Sequence, residues 1–172
     1  MSADRVYHVT DSKSNLEGSL TVLRGSDGGV SAVVVDLRNR SDHDEVVLKV
    51  NTEMSAFIML TVTDDRGTVL SKPAKKFDHS EIQKFDIVRI QRGSSHRWRV
   101  PLAAQLEVSA IPEQGLKGRL VVNVALLFSE VIGDKQPADA DFKISVLTLY
   151  DMGILLTQAA LSEGTKPAAA HR

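Results

Sequence analysis

Residues 118–128 read GRLVVNVALLF, and this segment is the strongest strand signal in the chain. Val and Leu dominate it, and such side chains pack well on a pleated, half-buried surface. Further short segments rich in Val, Leu, Ile and Thr run from about Glu17 to about Leu161, separated by Gly, Asp, Asn, Ser and Pro. Strand-like segments alternating with turn residues predict an all-β protein, an antiparallel β-sandwich of seven to ten strands.

Turn residues divide the chain before residue 118 into further strands. Gly25 to Gly29 and Asp64 to Gly67 supply two hairpin turns, and residues 72–84 predict a crossing loop. The expected strands are Glu17–Arg24, Val30–Asn39, Glu45–Val50, Phe57–Thr63, Thr68–Ser71, Asp86–Gln91 and His96–Val100.

The C-terminal end predicts a last hairpin after an acidic loop at 129–141. Its strands are Phe142–Leu149 and Ile154–Leu161, and Asp151-Met152-Gly153 forms the turn with Gly153 at positive φ. A short helix is the alternative for Ile154–Leu161, because its apolar residues also have helical spacing. We therefore divide the chain into a polar leader at 1–15, with one extended piece at Val6–Val9, a single domain at 16–161 and a disordered tail at 162–172.

The composition excludes several classes of protein. The chain has no cysteine, which removes disulfides, thiol catalysis and Cys-ligated metals, and favours a reducing compartment. We expect a cytoplasmic protein, with a periplasmic or secreted mature domain as the open alternative. With 21 basic and 22 acidic residues, no nucleic-acid partner is expected. No apolar stretch is long enough for a membrane span, and the N-terminal residues lack the apolar region of a signal peptide.

No recognisable catalytic or metal-binding set is present. The five histidines, at positions 8, 43, 79, 96 and 171, are scattered without a metal-ligand spacing. Ser41 to Glu45 is the best cluster of oxygen ligands, but it lacks the Gly and the downstream bidentate Glu of an EF-hand calcium loop, so a polar strand-connecting turn is the better explanation. We expect no catalytic residue, no metal and no cofactor. The alternative is an enzyme whose site is assembled from dispersed residues such as His43, Asp44, His79 and His96.

Arg89, Arg97 and Arg99 form the one local basic cluster and are the candidate partner surface. Strand alternation places them on the face opposite to Trp98 and its aliphatic neighbours, so Trp98 is expected to anchor the core. Two interpretations of the arginines are open. They are either a solvated outer sheet face or a surface that meets an acidic protein partner.

Two continuous apolar runs, Phe57–Leu60 and Leu126–Phe128, indicate strands that are covered on both faces. The cover is either the domain's own loops or another subunit. Self-association is therefore a second hypothesis for the function.

Three short motifs carry a resemblance to known sandwiches. Residues 33–41 (VVVDLRNRS) have the pattern of a central strand ending in an Asn-containing turn, and residues 60–67 (LTVTDDRG) that of a strand and turn. Residues 92–101 (RGSSHRWRVP) have the pattern of the turn and strand that precede residues 118–124. The stretch from about Val30 to Phe128 thus resembles bacterial immunoglobulin-like and fibronectin-like sandwiches and, more distantly, the bacterial intracellular proteinase inhibitor family.

The resemblance implies an immunoglobulin-like sandwich that binds another protein through loops or a sheet edge, with an inhibitor-like role. Together with the missing catalytic set, it favours a non-catalytic protein–protein interaction module. The alternatives are a structural or assembly subunit that self-associates and the enzyme with a dispersed site.

Overall fold

The computed structural model describes residues 6–50, 58–72 and 86–165, which form nine β-strands and one short α-helix. The strands are β1 (Val6–Thr10), β2 (Leu16–Arg24), β3 (Val30–Asn39), β4 (Glu45–Val50), β5 (Ile58–Asp64), β6 (Asp86–Gln91), β7 (Ser95–Pro101), β8 (Leu116–Val131) and β9 (Lys143–Leu156). The helix is α1 (Gln158–Gly164). The prediction of an antiparallel all-β sandwich of seven to ten strands is confirmed.

The strands form two antiparallel sheets. The first sheet has the order β1–β2–β3–β7, and the second contains β4, β5, β6, β8 and β9. The β2–β3 hairpin closes at Gly25–Gly29, where Gly28 has a φ of +82° that suits glycine. The predicted strand Thr68–Ser71 makes only isolated bridges at Val69 and Ser71. The predicted crossing loop lies, apart from Lys72, outside the described residues.

The second sheet is organised around β8, which is 16 residues long. One edge of β8 pairs with β9 from Leu116 to Phe128. The other edge pairs first with β5 through residues 118–124 and then with β4 through residues 128–131, and β4 pairs with β6. The segment that dominates the sequence is therefore the central strand of this sheet.

Alternate side chains of β8 form the middle of the core. Leu120, Val122, Val124, Leu126 and Phe128 are each at most 2% exposed. They belong to one apolar cluster with inward residues of β2 and β3 from the first sheet. Burying one such side chain contributes roughly 1.5–3 kcal/mol, so β8 is a main source of the stability of the sandwich.

Asn39 joins two connections that cross between the sheets, the β3–β4 turn and the β6–β7 turn. It is 1% exposed, and its Nδ2 donates to the carbonyl oxygen of Ile90 at 3.0 Å. Its Oδ1 accepts from the backbone N–H and the Oγ of Ser41 at 3.0 and 2.6 Å. Its backbone N–H donates to Ser94, and its carbonyl accepts from Gly93. Every polar group of this buried asparagine is thus used at one corner of the sandwich.

Both ends of the fold extend beyond the predicted domain bounds of 16 and 161. β1 lies in the predicted polar leader, yet it pairs with β2, and its Tyr7 and Val9 pack against the core. α1 continues to Gly164, into the predicted tail, and buries Leu161. Residues 166–172 of that tail lie outside the described residues.

The predicted C-terminal hairpin is wrong. β9 runs without a turn through Asp151 to Gly153 to Leu156, and α1 follows, so residues 154–161 are part strand and part helix. The long edge of β8 explains the difference. β8 pairs with β9 over the whole length of β9, from Lys143 to Leu156, and the ladder is interrupted only by a bulge near residues 151–153. Gly153 is not among the glycines with positive φ.

Trp98 is half-buried, which is less than the full burial that the alternation predicts. It packs at the margin of the core on β7, which is an edge strand of the first sheet. The ring of His96 lies against it, with centroids 4.5 Å apart.

We expect Asn39→Ala to lower the free energy of unfolding by about 3 kcal/mol, because it leaves the Ile90 carbonyl and the Ser41 amide buried without their partner. Urea denaturation measures the change, and the slope of the unfolding curve should stay the same. The neighbouring Arg40→Ala is the control. Arg40 makes an exposed ion pair with Glu17 and should cost less than about 1 kcal/mol. Equal losses in the two variants would contradict the corner role of Asn39.

A buried carboxylate links the β1–β2 turn to β9. Asp11, 7% exposed, accepts hydrogen bonds from the Ser14 N–H at 2.7 Å, the Ser14 Oγ at 2.6 Å and the Ser145 Oγ at 2.7 Å. Burial acts to raise the pKa of Asp11, but the hydrogen bonds from Ser14 and Ser145 together outweigh it and hold the pKa below its ordinary value.

We expect Asp11→Ala to cost about 2 kcal/mol at neutral pH, because the variant loses three hydrogen bonds to a charged group. The pKa of Asp11 is depressed in the folded state. Its contribution is therefore fully present above the unfolded-state pKa of about 4 and is lost as the pH falls through the lower folded-state value. Urea unfolding of both proteins at neutral pH and at acid pH measures the difference. Asp65→Ala, in an exposed turn, is the control, and a gap that does not narrow in acid would contradict this account.

Candidate interaction surface

The structure places the three candidate arginines on two different sheets. Arg97 and Arg99 lie on β7 in the first sheet, where Arg97 is opposite Asp36 of β3. Arg89 lies on β6 in the second sheet, opposite Val47 of β4. All three point away from the core, so Arg89 is on one outer face of the sandwich and the other two are on the opposite one. They do not form a continuous surface.

Each of these arginines already has a partner within the chain. Arg97 donates through Nε and Nη2 to the Oδ2 of Asp36 at 3.0 and 2.9 Å. Arg89 donates to the Oε2 of Glu45 and the Oε1 of Gln136, both at 2.6 Å. Arg99 donates to the carbonyl oxygen of Gly164 at the end of α1, at 3.1 Å. Their role toward an acidic partner stays a prediction.

The residues of the dispersed-enzyme alternative do not converge where the structure describes them. His43 lies 3.4 Å from Glu130, and the carboxylate of Asp44 accepts from the Gly133 N–H at 3.0 Å. His96 lies against Trp98, and His79 is outside the described residues. In the part of the chain that the structure describes, no three His, Cys, Asp or Glu side chains are grouped so that they could hold a metal ion.

The outer faces of the two sheets differ in polarity. On the first sheet, the outward residues of β1, β2, β3 and β7 are mostly polar or charged. They include His8, Thr10, Glu17, Ser19, Thr21, Asp36, Arg38, Arg97 and Arg99. Such a face is typical of an antiparallel sheet that is packed on one side and solvated on the other.

One half of the outer face of the second sheet is covered by the loop between β8 and β9, residues 132–142. Lys49 of β4 pairs with Asp139 at 2.6 Å and lies 4.3 Å from the centre of the Phe142 ring, while Arg89 holds Gln136. Under this loop, Val47 is 1% exposed although it points away from the core. Arg89 thus joins this loop to β4, because it donates to both Gln136 and Glu45.

The other half of that face is apolar and has no cover among the described residues. We call it the apolar outer face and define it by Ile144, Val146, Tyr150 and Met152 on β9 and Val121 and Leu127 on β8. The four β9 side chains are 71%, 54%, 52% and 57% exposed. In the β8–β9 register, Leu127 is opposite Ile144, and Val121 is opposite Tyr150.

The surroundings of the apolar outer face are mixed, and they include Lys72, which lines one pocket together with Met59 and Asn123. Ala125 is opposite Val146, and Thr148 donates to the Oδ1 of Asn123 at 2.8 Å. Met59 of β5, 39% exposed, lies next to Asn123 in the register. The exposed charges on the same strands are Lys143 on β9 and Lys117 and Arg119 on β8, and Arg119 is the outward neighbour of Val121. Asp151 of β9 is buried.

Sequence reasoning identified part of this surface. The runs Phe57–Leu60 and Leu126–Phe128 indicated cover on both faces, and each contributes one outward residue, Met59 and Leu127. Ile144 and Val146 lie in the predicted strand Phe142–Leu149 but were not recognised as part of a surface, and the turn predicted at 151–153 hid Tyr150 and Met152. Read as one strand, positions 144, 146, 150 and 152 are apolar and alternate with inward Leu147 and Leu149, which is the signal of a strand that is apolar on both faces.

A comparison with known proteins found no family model, no curated protein and no solved structure that matches this chain. No helix in the described ranges has both the length and the apolar character needed to cross a membrane.

Proposed function

We propose that this chain is a non-catalytic protein–protein interaction module and that the apolar outer face is its contact surface. The observation that carries the proposal is the uncovered row of four exposed apolar side chains on β9, next to the half-exposed Val121 and Leu127 of β8. Exposed apolar surface of this kind, here interrupted by the Thr148–Asn123 pair, is typical of a protein-binding site.

The energetics favour this face over the arginines. An arginine that already pairs with Asp36 or Glu45 must exchange one ion pair for another on binding, and exposed pairs contribute little. Removing the apolar side chains from water contributes roughly 25 cal/mol for each Å² of apolar surface. Tyrosine, the residue at position 150, is one of the types, with Trp and Arg, that are enriched among the dominant contacts of interfaces.

The size of the face limits what it does alone. From residue 144 to residue 152, β9 is about 27 Å long, and the three strands β9, β8 and β5 are about 10–15 Å wide together. The resulting area of roughly 300–400 Å² is in the range of a single functional patch. It is below the roughly 800 Å² that each partner contributes to a standard interface, so a partner also contacts the edge or the loops beside it.

The immunoglobulin-like classification and the inhibitor-like role stay predictions from the resemblance, and the cytoplasmic location stays a prediction from the missing cysteines. The surface supports the interaction module whichever of these holds, because binding needs only a rigid scaffold and a shaped surface. The assembly-subunit hypothesis uses the same face and is developed below.

The proposal is tested with a photo-crosslinking amino acid placed at Tyr150 or, as the matched control, at Arg97 on the polar face. The full chain is exposed to extract of the native host, and the crosslinked protein is identified and purified. Calorimetry then measures its affinity for the wild-type chain, for Val146→Lys, for Tyr150→Lys and for Arg97→Gln.

We expect crosslinking at position 150 and an affinity loss of about tenfold or more in each lysine variant, which corresponds to about 1.4 kcal/mol. Both positions are exposed, so the unfolding free energy should change by less than about 1 kcal/mol. If only Arg97→Gln lowers the affinity for the crosslinked protein, the contact lies on the polar face of the first sheet and not on the apolar outer face. Turnover of a small-molecule substrate, abolished by one polar substitution, would reject the non-catalytic proposal.

A further inference from the structure

We propose that a second copy of this chain pairs with β9, so that the two β9 strands run antiparallel about a two-fold axis beside Leu147. This inference rests on the proposed function, because it names a partner that binds at the edge of β9, the strand that carries most of the apolar outer face. It is carried by the edge of β9, by the match of side chains in one register and by one buried carboxylate.

β9 is a long edge strand. It pairs with β8 from Lys143 to Leu156, and no other described strand pairs with it. Protected edges carry exposed charges, prolines or bulges. Between Ile144 and Tyr150 there is no proline and no charged side chain, and the bulge comes only after Asp151. Residues 143–151 are therefore a regular strand about 27 Å long that carries none of these features between its two end residues. β1 of the first sheet lies close to β9 but forms no ladder with it.

Antiparallel pairing about Leu147 matches the outward side chains of the two copies. Ile144 of one copy is opposite Tyr150 of the second copy, and Val146 is opposite Thr148, each pair occurring twice by symmetry. Aromatic residues opposite β-branched ones are among the favourable cross-strand pairs. The two apolar outer faces then lie side by side on the joined sheets, with roughly twice the area of one face.

The same register also matches charge. It places Lys143 of each copy opposite Asp151 of the other. Asp151 is 1% exposed, and its Oδ1 accepts from the Gly153 N–H at 3.0 Å, but its Oδ2 has no hydrogen-bond partner among the described residues. A buried carboxylate oxygen without a partner is costly, and a lysine ammonium opposite the strand position supplies the missing donor. Lys143 is exposed in the single chain.

The absence of native cysteine allows a direct test of the register. Val146→Cys and Thr148→Cys are made separately in the full chain, at exposed or half-exposed outer positions that tolerate the change. Under mild oxidation, the mixture of the two variants should form the disulfide dimer about tenfold faster than either variant alone, because only the mixture brings residues 146 and 148 directly opposite each other. Faster linking of Thr148→Cys with itself would overturn this register.

Sedimentation of the full chain at about 1 to 200 μM, a range that brackets weak and moderate affinities, tests the dimer itself. We expect a dimer that Lys143→Glu weakens by about tenfold or more, because two carboxylates then face each other at two symmetric positions. Lys135→Glu, outside the ladder in the covering loop, makes the same charge change and should leave the dimer unchanged. Equal weakening by both variants would overturn the pairing of Lys143 with Asp151.

A wild-type chain that stays monomeric over this range would overturn the inference. If its β9 amides are also protected from hydrogen exchange, another segment of the same chain occupies the edge. The proposed function still holds for a monomeric chain if Val146→Lys and Tyr150→Lys lower its affinity for a crosslinked protein that is not a second copy of this chain. The proposed function fails, and the dimer inference holds, if a dimer forms through β9 but neither lysine variant lowers the affinity for the crosslinked protein.

Discussion

The sandwich depends on the hydrogen bonds of Asn39. Described residues pass between the sheets from β3 to β4, from β6 to β7 and from β7 to β8, and the first two of these connections meet at this side chain. An aliphatic residue here would leave the Ile90 carbonyl and the Ser41 amide buried without partners. Such a loss costs more stability than making a hydrogen bond contributes. The corner sets how the β3–β7 pair stacks on the β4–β6 pair and so where each outer face points.

The length of β8 determines how the second sheet meets solvent. A strand of 16 residues is longer than any one of its neighbours β4 and β5, so these two share one of its edges, while β9 follows the other edge. The covering loop reaches only the β4–β6 half of the face, because Lys49 and Arg89 hold it there. The β9 half remains uncovered by the described residues. The same strand that supplies the middle of the core thus leaves the apolar outer face beside it.

The strands that alternate in pattern and end in strong turns were predictable from the sequence. β2, β3, β4 and β6 lie within one residue of their expected bounds, because Gly and Asn at their ends have local chemistry that fixes the turns. The path of residues 142–164 was not predictable, since Asp151-Met152-Gly153 suits a turn and a bulge equally well and only the pairing with β8 decides between them. The arginines failed as one surface for a similar reason. Alternation fixes the face of each strand, but it does not reveal that β6 and β7 belong to different sheets.

A strand that is apolar on both faces is a compromise between folding and solubility. Its inward face is required by the core, but its outward face gains nothing in an isolated domain and exposes the edge to unwanted pairing. On the first sheet this chain avoids the problem with Asp36, Arg38, Arg97 and Glu17 on the outward positions. The first sheet therefore has charged residues on its outward positions. On β9 the only charged residues are Lys143 at its first position and the buried Asp151. A single exposed lysine in place of Val146 would protect this edge. Its absence is the reason that we place the proposed contact on β9 and not on the charged first sheet.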